Sequence, residues 1–394
     1  MPTPMPTPMP SQSTAGAVAV TGITHDSRSV RPGDLYAALP GARVHGADFV
    51  AAAAAAGAVA VLTDAEGAAR GTGELPALVV DAPRSRVGEL AAWIYDEPAR
   101  DLTMLGITGT NGKTTTAYLL EACLRAAGRA TGLVGTIETR IGDERVPSVR
   151  TTPEAPDLQA LLAVMRERGV DAVVMEVSSH ALALGRVDGV VFDVAVFTNL
   201  SQDHLDFHSD LDDYFRTKAS LFTPARARLG VVNVDDAYGA RLATSAPIPV
   251  VTVSPAGGAD ADWCVSAGEV AASGSTTGFT LQHRDGRSVR AASPLAGSFN
   301  VANTALALVT CLAVGAEPAR AVRGLAGARV PGRMEQVQST GVDEPLAVVD
   351  YAHTPEAVES VLAALRAGLT GRLVVVLGAG GDRDAGKRPQ MGAA

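Results

Sequence analysis

The stretch MLGITGTNGKTTTAYLLE, residues 104–121, limits this chain more than any other. Residues 104–107 read as a short buried strand, 109–112 as a tight turn and 114–127 as a helix. Unpaired N–H groups at such a helix start carry the positive end of the macrodipole and bind phosphate oxygens. Lys113 adds a charge and Thr114 a hydroxyl for Mg²⁺. The loop of Gly109, Thr110, Asn111, Gly112, Lys113, Thr114 and Thr115 is therefore expected to hold a triphosphate. It is shorter than the general phosphate loop, because Ile107 stands six before Lys113 where the common pattern has glycine. A purely structural turn is the competing reading, and the strand before and helix after weigh against it.

A strand and helix around one loop need a sheet to join, and 394 residues give room for two or three domains. The formal net charge of -9 argues against a nucleic-acid partner, which wants a basic face, and leaves room for a basic pocket that takes a small anion. Cys123, Cys264 and Cys311 lie far apart in apolar contexts, without disulfide-framework or metal-ligand spacing. The longest apolar run, 49–62, is broken by Gly57 and too short for a membrane span, so no membrane partner is expected.

Residues 1–14 repeat a proline-containing tetrad without the basic and apolar regions of a secretion signal, and 1–17 are expected to be a disordered tail. Residues 18–102 read as a small α/β domain with strands near 34–39, 59–62 and 77–80 and helices near 49–56 and 84–95. Its loop HDSRSVRPGDLYAALPG turns at Pro32-Gly33 and gathers Asp26, Ser27, Arg28 and Arg31. Turn chemistry with a surface ion pair and a binding loop on a rigid frame both fit that segment.

Residues 103–330 alternate strand and helix signals, which implies a mostly parallel sheet covered on both faces. Strands are expected at 172–177, 190–197, 230–234 and 250–253, added antiparallel strands within 262–294, and an apolar helix over 300–314. Functional groups should gather at the carboxyl ends of the parallel strands. From residue 331 a third domain opens, with strands at 346–350 and 372–377 around a helix over 354–367, where Thr354 caps and Pro355 starts the helix. Two strands and one helix cannot close a core, so the chain is expected to stop inside that domain.

Several polar groups follow apolar strands. In MEVSSHALALGR, Glu176 ends a strand, where a lone carboxylate is costly unless it faces a cation; with a phosphate loop upstream it reads as a Mg²⁺ ligand. TNLSQDHLDFH packs Asp203, His204, Asp206 and His208 together. Zinc is disfavoured there, since Leu205 stands where the metalloprotease pattern has Glu and no third soft ligand is evident, which leaves Mg²⁺ or phosphate. Lys218, among Phe215, Leu221 and Phe222, is either a snorkelling surface cation or partly buried. GAGGDRDAGKRP is not a dinucleotide fingerprint, because Arg383 occupies the third glycine position; its cations suit a carboxylate or phosphate.

Taken in order, DSRSVRPGDLYAALPG, TGTNGKTTT, MEVSSH, FTNLSQDHLD, GRME, VDYAHTP and GGDRDAGKRP resemble the motifs of the Mur ligase family of peptidoglycan synthesis, over about residues 18–394. The resemblance implies an α/β fold of three domains: a small N-terminal domain for the UDP-sugar, a central P-loop-type ATPase domain and an incomplete Rossmann-like C-terminal domain for an amino acid. It implies an ATP-dependent ligase that adds a diamino acid, 2,6-diaminopimelate, to UDP-N-acetylmuramoyl-L-alanyl-D-glutamate. Such an enzyme would act as a cytoplasmic monomer in cell-wall biogenesis, on which cell shape and division depend. The lysine-adding member of the family is the alternative; a folylpolyglutamate synthetase lacks a DSRSVRPGDLY-type first domain.

Carried over residue by residue, the resemblance implies that Ser27 and Ala42, Arg43 and Val44 touch the UDP-sugar. Thr151, Thr152, Ser178 and Arg186 would touch the muramoyl-dipeptide. Lys113 and Thr114 would serve ATP and Mg²⁺, with Glu176 and His204 as further metal-site residues. Asn300, Arg333, Asp350 and His353 would face the nucleotide, and Arg383 the amino-acid carboxylate. Lys218 matches the lysine that the family carries as a carbamate supporting a second Mg²⁺. Leu184 departs from the pattern, since some relatives place Gln there, and the family segment that selects the amino acid would fall after Ala394.

Overall fold

A computed structural model describes residues 18–394 apart from 259, 267–275, 338–345, 368, 370 and 379–386. The tail expected over 1–17 and Arg383 lie outside the described residues. The chain divides into two compact units, Met1–Asp96 and Glu97–Ala394. The second includes residues 331–394, expected to open a third domain.

In the first unit β1 (Gly22–Thr24), β2 (Asp34–Ala37), β3 (Ala60–Thr63) and β4 (Ala77–Val79) form a parallel sheet in that order. Helices α1 (Val50–Ala55), α2 (Ala65–Arg70) and α3 (Arg84–Ile94) complete it. The three expected strands are present. The helix expected over 49–56 begins instead as a 3₁₀ turn, Gly46–Phe49, before α1. β1 and α2 were not expected: β1 has only three residues, and α2 depends on the Asp64 carboxylate accepting the Gly67 N–H at 2.8 Å.

The second unit is built on an 11-stranded sheet. Its strands are β5 (Thr103–Thr108), β6 (Thr131–Val134), β7 (Glu138–Ile141), β8 (Glu144–Pro147), β9 (Ala172–Glu176), β10 (Phe192–Phe197), β11 (Ala227–Asn233), β12 (Val250–Ser254), β13 (Trp263–Ser266), β14 (Thr277–His283) and β15 (Ser288–Ser293). They lie in the order β15-β14-β13-β12-β11-β10-β5-β9-β6-β7-β8. The run from β13 to β6 is parallel, and β14, β15, β7 and β8 are antiparallel additions at the two edges. Helices α4 (Lys113–Ala126), α5 (Ala155–Glu167), α6 (Ser179–Ala183), α7 (Leu211–Ala219), α8 (Ala237–Ser245), α9 (Ser298–Ala313) and α10 (Pro318–Ala326) connect and cover it.

Strand β9 shows why both faces are covered. Ala172 and Val174 join one core with α4 and α9, whereas Val173 and Met175 join the other, and all four are fully buried. Apolar side chains on both faces make a continuous hydrophobic run rather than an alternating one. The β7–β8 hairpin escaped the sequence reading because ETRIGDERVP is polar on one face and exposed over β8.

In the last segment, β16 (Glu335–Val337) pairs antiparallel with β17 (Ala347–Val349), followed by α11 (Pro355–Ala367) and α12 (Lys387–Ala393). The strand expected at 372–377 does not form. No neighbouring strand among the described residues supplies its ladder bonds, and Val374 and Val376 stand 72% and 98% exposed.

Candidate active site

β5 is flanked by β10 on one side and β9 on the other, while the chain itself passes from β5 through α4 to β6, beyond β9. A crevice therefore opens at the carboxyl ends of these strands, where ligands bind in open α/β sheets. The glycine loop leaves β5 into it. Gly109 has φ +147 and Gly112 φ +88, the second in the left-handed region that favours glycine. A Cβ at Gly109 would collide with the Thr198 hydroxyl, and one at Gly112 with Asn303 Oδ1. The loop is also tied to the end of β10: Asn111 N–H donates to Asn199 Oδ1 at 3.0 Å, and the Thr198 hydroxyl donates to Asn111 O at 2.6 Å.

Two lysines converge on one loop carbonyl. Lys113 Nζ donates to Gly109 O at 3.0 Å and Thr110 O at 2.9 Å, and Lys218 Nζ donates to the same Gly109 O at 2.8 Å. Lys218 is 1% exposed and lies 4.5 Å from the centroid of the Tyr214 ring, so the surface-cation reading is wrong. Burial, and next the Lys113 charge, push the Lys218 ammonium well below the usual lysine range. Burial also lowers Lys113, against the pull of Glu176 and Asp203.

Glu176 is 1% exposed, as its place at the end of β9 implied. Its Oε2 accepts from the Thr114 hydroxyl at 2.8 Å and its Oε1 from Thr136 N–H at 2.7 Å. His204 adopts φ +54 with its N–H on Asp203 Oδ1 at 2.9 Å, and burial lowers its imidazole to about 4, so it is neutral at pH 7. Among the described residues no group of three His, Cys, Asp or Glu could hold a metal by itself. Thr114 and Glu176 offer a hydroxyl and a carboxylate, hard oxygen donors that suit Mg²⁺ sharing phosphate and water ligands.

Two cavities share this loop. The first, about 390 Å³, is lined by Lys113, Thr114, Glu176 and His204 together with Thr151, Thr152, Ser178 and Arg186. Thr152 gives its hydroxyl to Glu176 O at 2.8 Å and accepts Ser178 N–H at 3.2 Å. Ser178 caps α6 by accepting Ala181 N–H at 3.2 Å. Arg186 pairs with Glu154 at 2.8 Å, both side chains 13% exposed, while its Nε has no hydrogen-bond partner among the described residues.

The second cavity, about 320 Å³, is lined by Asn111, Gly112 and Thr115 together with Asn300, Asn303, Arg333, Asp350 and His353. Arg333, Tyr351 and His353 line both cavities. Arg333 stacks 4.9 Å from the Tyr351 ring centroid. Asp350 spends its two oxygens on the N–H groups of Met334 and Ala352, both at 2.8 Å, and so shapes the wall. Asn300 is bonded to Ala296 O and Asn303, which itself accepts from the Thr116 hydroxyl of α4 at 3.3 Å. Asn303, Asn199 and Thr136 were missed in the sequence. For Asn303 a signal existed in the Asn-x-x-Asn spacing on an otherwise apolar helix; the other two are named only by the folded loop.

In the first unit, Ala42, Arg43 and Val44 form an exposed loop, and Ser27 is half-buried. The loop is anchored where His45 meets Asp64 at 3.1 Å and the Tyr36 hydroxyl meets Gly46 O at 3.0 Å. Asp26 and Arg28 form the surface ion pair at 2.8 Å, which holds the Asp26 carboxyl down to about 2.

A parallel sheet whose central strand feeds a glycine loop, with lysine and threonine set against a buried carboxylate, defines the class: a phosphate-binding-loop α/β protein. Family models divide the chain among the Mur ligase family, catalytic domain (19–94), the Mur ligase middle domain (107–311) and the Mur ligase, glutamate ligase domain (332–394). The chain is 64% identical over 378 residues to the UDP-N-acetylmuramoyl-L-alanyl-D-glutamate--2,6-diaminopimelate ligase of Streptomyces avermitilis, covering 95% of this chain and 74% of that protein. It is 63% identical over 382 residues to the ligase of the same name from Streptomyces coelicolor, covering 96% and 74%. A solved structure of a UDP-N-acetylmuramoyl-L-alanyl-D-glutamate--2,6-diaminopimelate ligase superposes with a TM-score of 0.76 at 32% identity, over 95% of this chain and 76% of that one. The chain belongs to the Mur ligase family.

Proposed function

We propose that this protein ligates 2,6-diaminopimelate to UDP-N-acetylmuramoyl-L-alanyl-D-glutamate with ATP, as a cytoplasmic step of peptidoglycan precursor synthesis. The observation that carries this reading is the meeting of two cavities at one phosphate loop. A nucleotide entering from the Asn300–Arg333–Asp350–His353 side brings its terminal phosphate to Lys113. A carboxylate entering from the Thr151–Thr152–Ser178–Arg186 side reaches the same point. The substrate carboxylate oxygen attacks the γ-phosphorus and ADP leaves. The amine then attacks the acyl carbon, an amide forms, and phosphate and a proton depart.

Such chemistry asks the protein for position and charge neutralisation rather than covalent participation. Lys113 neutralises phosphoryl charge, and Thr114 and Glu176 suit the first Mg²⁺, which when bound draws charge from the phosphate oxygens. Burial lowers the Lys218 ammonium and so favours the neutral amine, the form that adds to CO₂: an N–C bond would form, one proton would leave, and the side chain would become a carbamate anion. That anion and His204 would serve a second Mg²⁺. We assign residues 18–102 to the UDP-sugar through Ser27 and Ala42, Arg43 and Val44, residues 103–330 to ATP, and residues 331–394, with Arg383, to the amino acid. A monomer suffices for this assignment.

The test supplies the protein with ATP, Mg²⁺, the UDP-dipeptide and either 2,6-diaminopimelate or lysine, and reads the product mass. An amide with 2,6-diaminopimelate supports the reading. A lysine product would move the protein to the lysine-adding branch, and no amide with either would defeat the proposal.

A further inference from the structure

The first turn after β6 carries a residue that neither the phosphate loop nor the substrate wall accounts for. Resting on the reading of Glu176 as a Mg²⁺ carboxylate, we propose that Thr136 is its positioning residue and that the Thr136 hydroxyl fixes the polarity of a chain running Thr151 to Thr136 to Glu176. Thr136 grips both carboxylate oxygens: its backbone N–H donates to Oε1 at 2.7 Å and its hydroxyl to Oε2 at 3.2 Å. Oε2 is also the oxygen that accepts from Thr114 at 2.8 Å. The carboxylate is thereby aimed along the line on which it shares a cation with Thr114. Gly135 makes the approach possible, since a Cβ there would press against Glu176 Oε1.

The polarity follows from counting protons. A threonine hydroxyl has one, and an ionised carboxylate can only accept. With its proton on Glu176, Thr136 meets Thr151 Oγ1 at 3.0 Å as an acceptor, so Thr151 is the donor. Thr151 therefore presents only lone pairs to the cavity and recognises a donor on the substrate, such as a peptide N–H, rather than a substrate carboxylate. One hydroxyl thus links the metal carboxylate to the substrate wall. Groups of this kind, which orient a metal ligand without touching the metal, typically change metal affinity or activity about 10–100-fold when removed.

The experiment titrates Mn²⁺ into the protein with a non-hydrolysable ATP analogue, reading free Mn²⁺ by electron paramagnetic resonance. Thr136→Val, Thr136→Ser and Glu176→Gln are compared, with thermal melts to check folding. Thr136→Val keeps the N–H and loses the hydroxyl; it should weaken Mn²⁺ binding about tenfold, while Thr136→Ser stays within about threefold of wild type. An unchanged Mn²⁺ affinity in folded Thr136→Val overturns the positioning role, even if turnover falls. If Glu176→Gln also binds Mn²⁺ normally, the metal reading of Glu176 fails with it; if only Glu176→Gln is weakened, the metal reading stands and the Thr136 proposal alone is lost.

Discussion

Lys113 and Lys218 bring their two side-chain nitrogens to the carbonyl oxygen of Gly109, and water reaches almost none of Lys218. Like charges in a dry site disfavour one another, so a phosphate at Lys113 and a carbamate at Lys218 would each relieve the same strain. Lys113→Ala should cut ligation by about 10² or more without loss of fold, because it removes the charge assigned to the phosphates, while the bonds it gives up, to Gly109 O and Thr110 O, lie within the loop itself. Single-turnover phosphate release with circular dichroism on the same sample checks both halves. Lys218→Arg should be as inactive as Lys218→Ala, since a guanidinium keeps the charge and cannot become a carbamate. Formate or acetate should restore part of the Lys218→Ala rate, and full activity in Lys218→Arg would remove the carbamate from the reading.

At the scale of elements, helix α4 begins only because Gly112 turns the chain into it, and α9 packs against that turn through Asn303. A side chain at φ +88 is strained and would also displace Asn303 Oδ1. Gly112→Ala should therefore cost about 1–3 kcal/mol of stability, the usual range for a forced left-handed residue. It should also weaken binding of an ATP analogue, because the N–H groups of the loop would be re-aimed. Urea unfolding and calorimetric titration measure the two effects, and unchanged analogue binding would show that the loop tolerates a different path.

For the whole molecule, the two compact units, Met1–Asp96 and Glu97–Ala394, each own a hydrophobic core. Every residue assigned here to ATP lies in the second. A non-hydrolysable ATP analogue with Mg²⁺, at about a hundredfold over its dissociation constant, should stabilise that unit by about 2.7 kcal/mol. Differential scanning calorimetry should then show one transition moving upward with the analogue and the transition of the first unit staying in place. Movement of the first transition alone would contradict the assignment of ATP to residues 103–330.

Local chemistry was enough for some of this in the sequence. Glycine at 109 and 112 beside Lys113 and Thr114 announces a phosphate loop, because only glycine reaches those backbone angles cheaply and only N–H groups and cations suit phosphate. Largely apolar runs ending in Glu176 and Thr198, the second interrupted by Asp193, announce buried parallel strands, because both their faces must be covered. Edge elements were less legible: β1, α2 and the β7–β8 hairpin are short and half-polar, and the apolar 372–377 run has strand composition but no strand partner among the described residues. Whether Lys218 lay on the surface or in the core, and that Thr136 and Asn199 would brace Glu176 and the loop, depended on strands far apart in the chain becoming neighbours. Burial and hydrogen-bond partners are properties of that neighbourhood, and only the tertiary structure decides them.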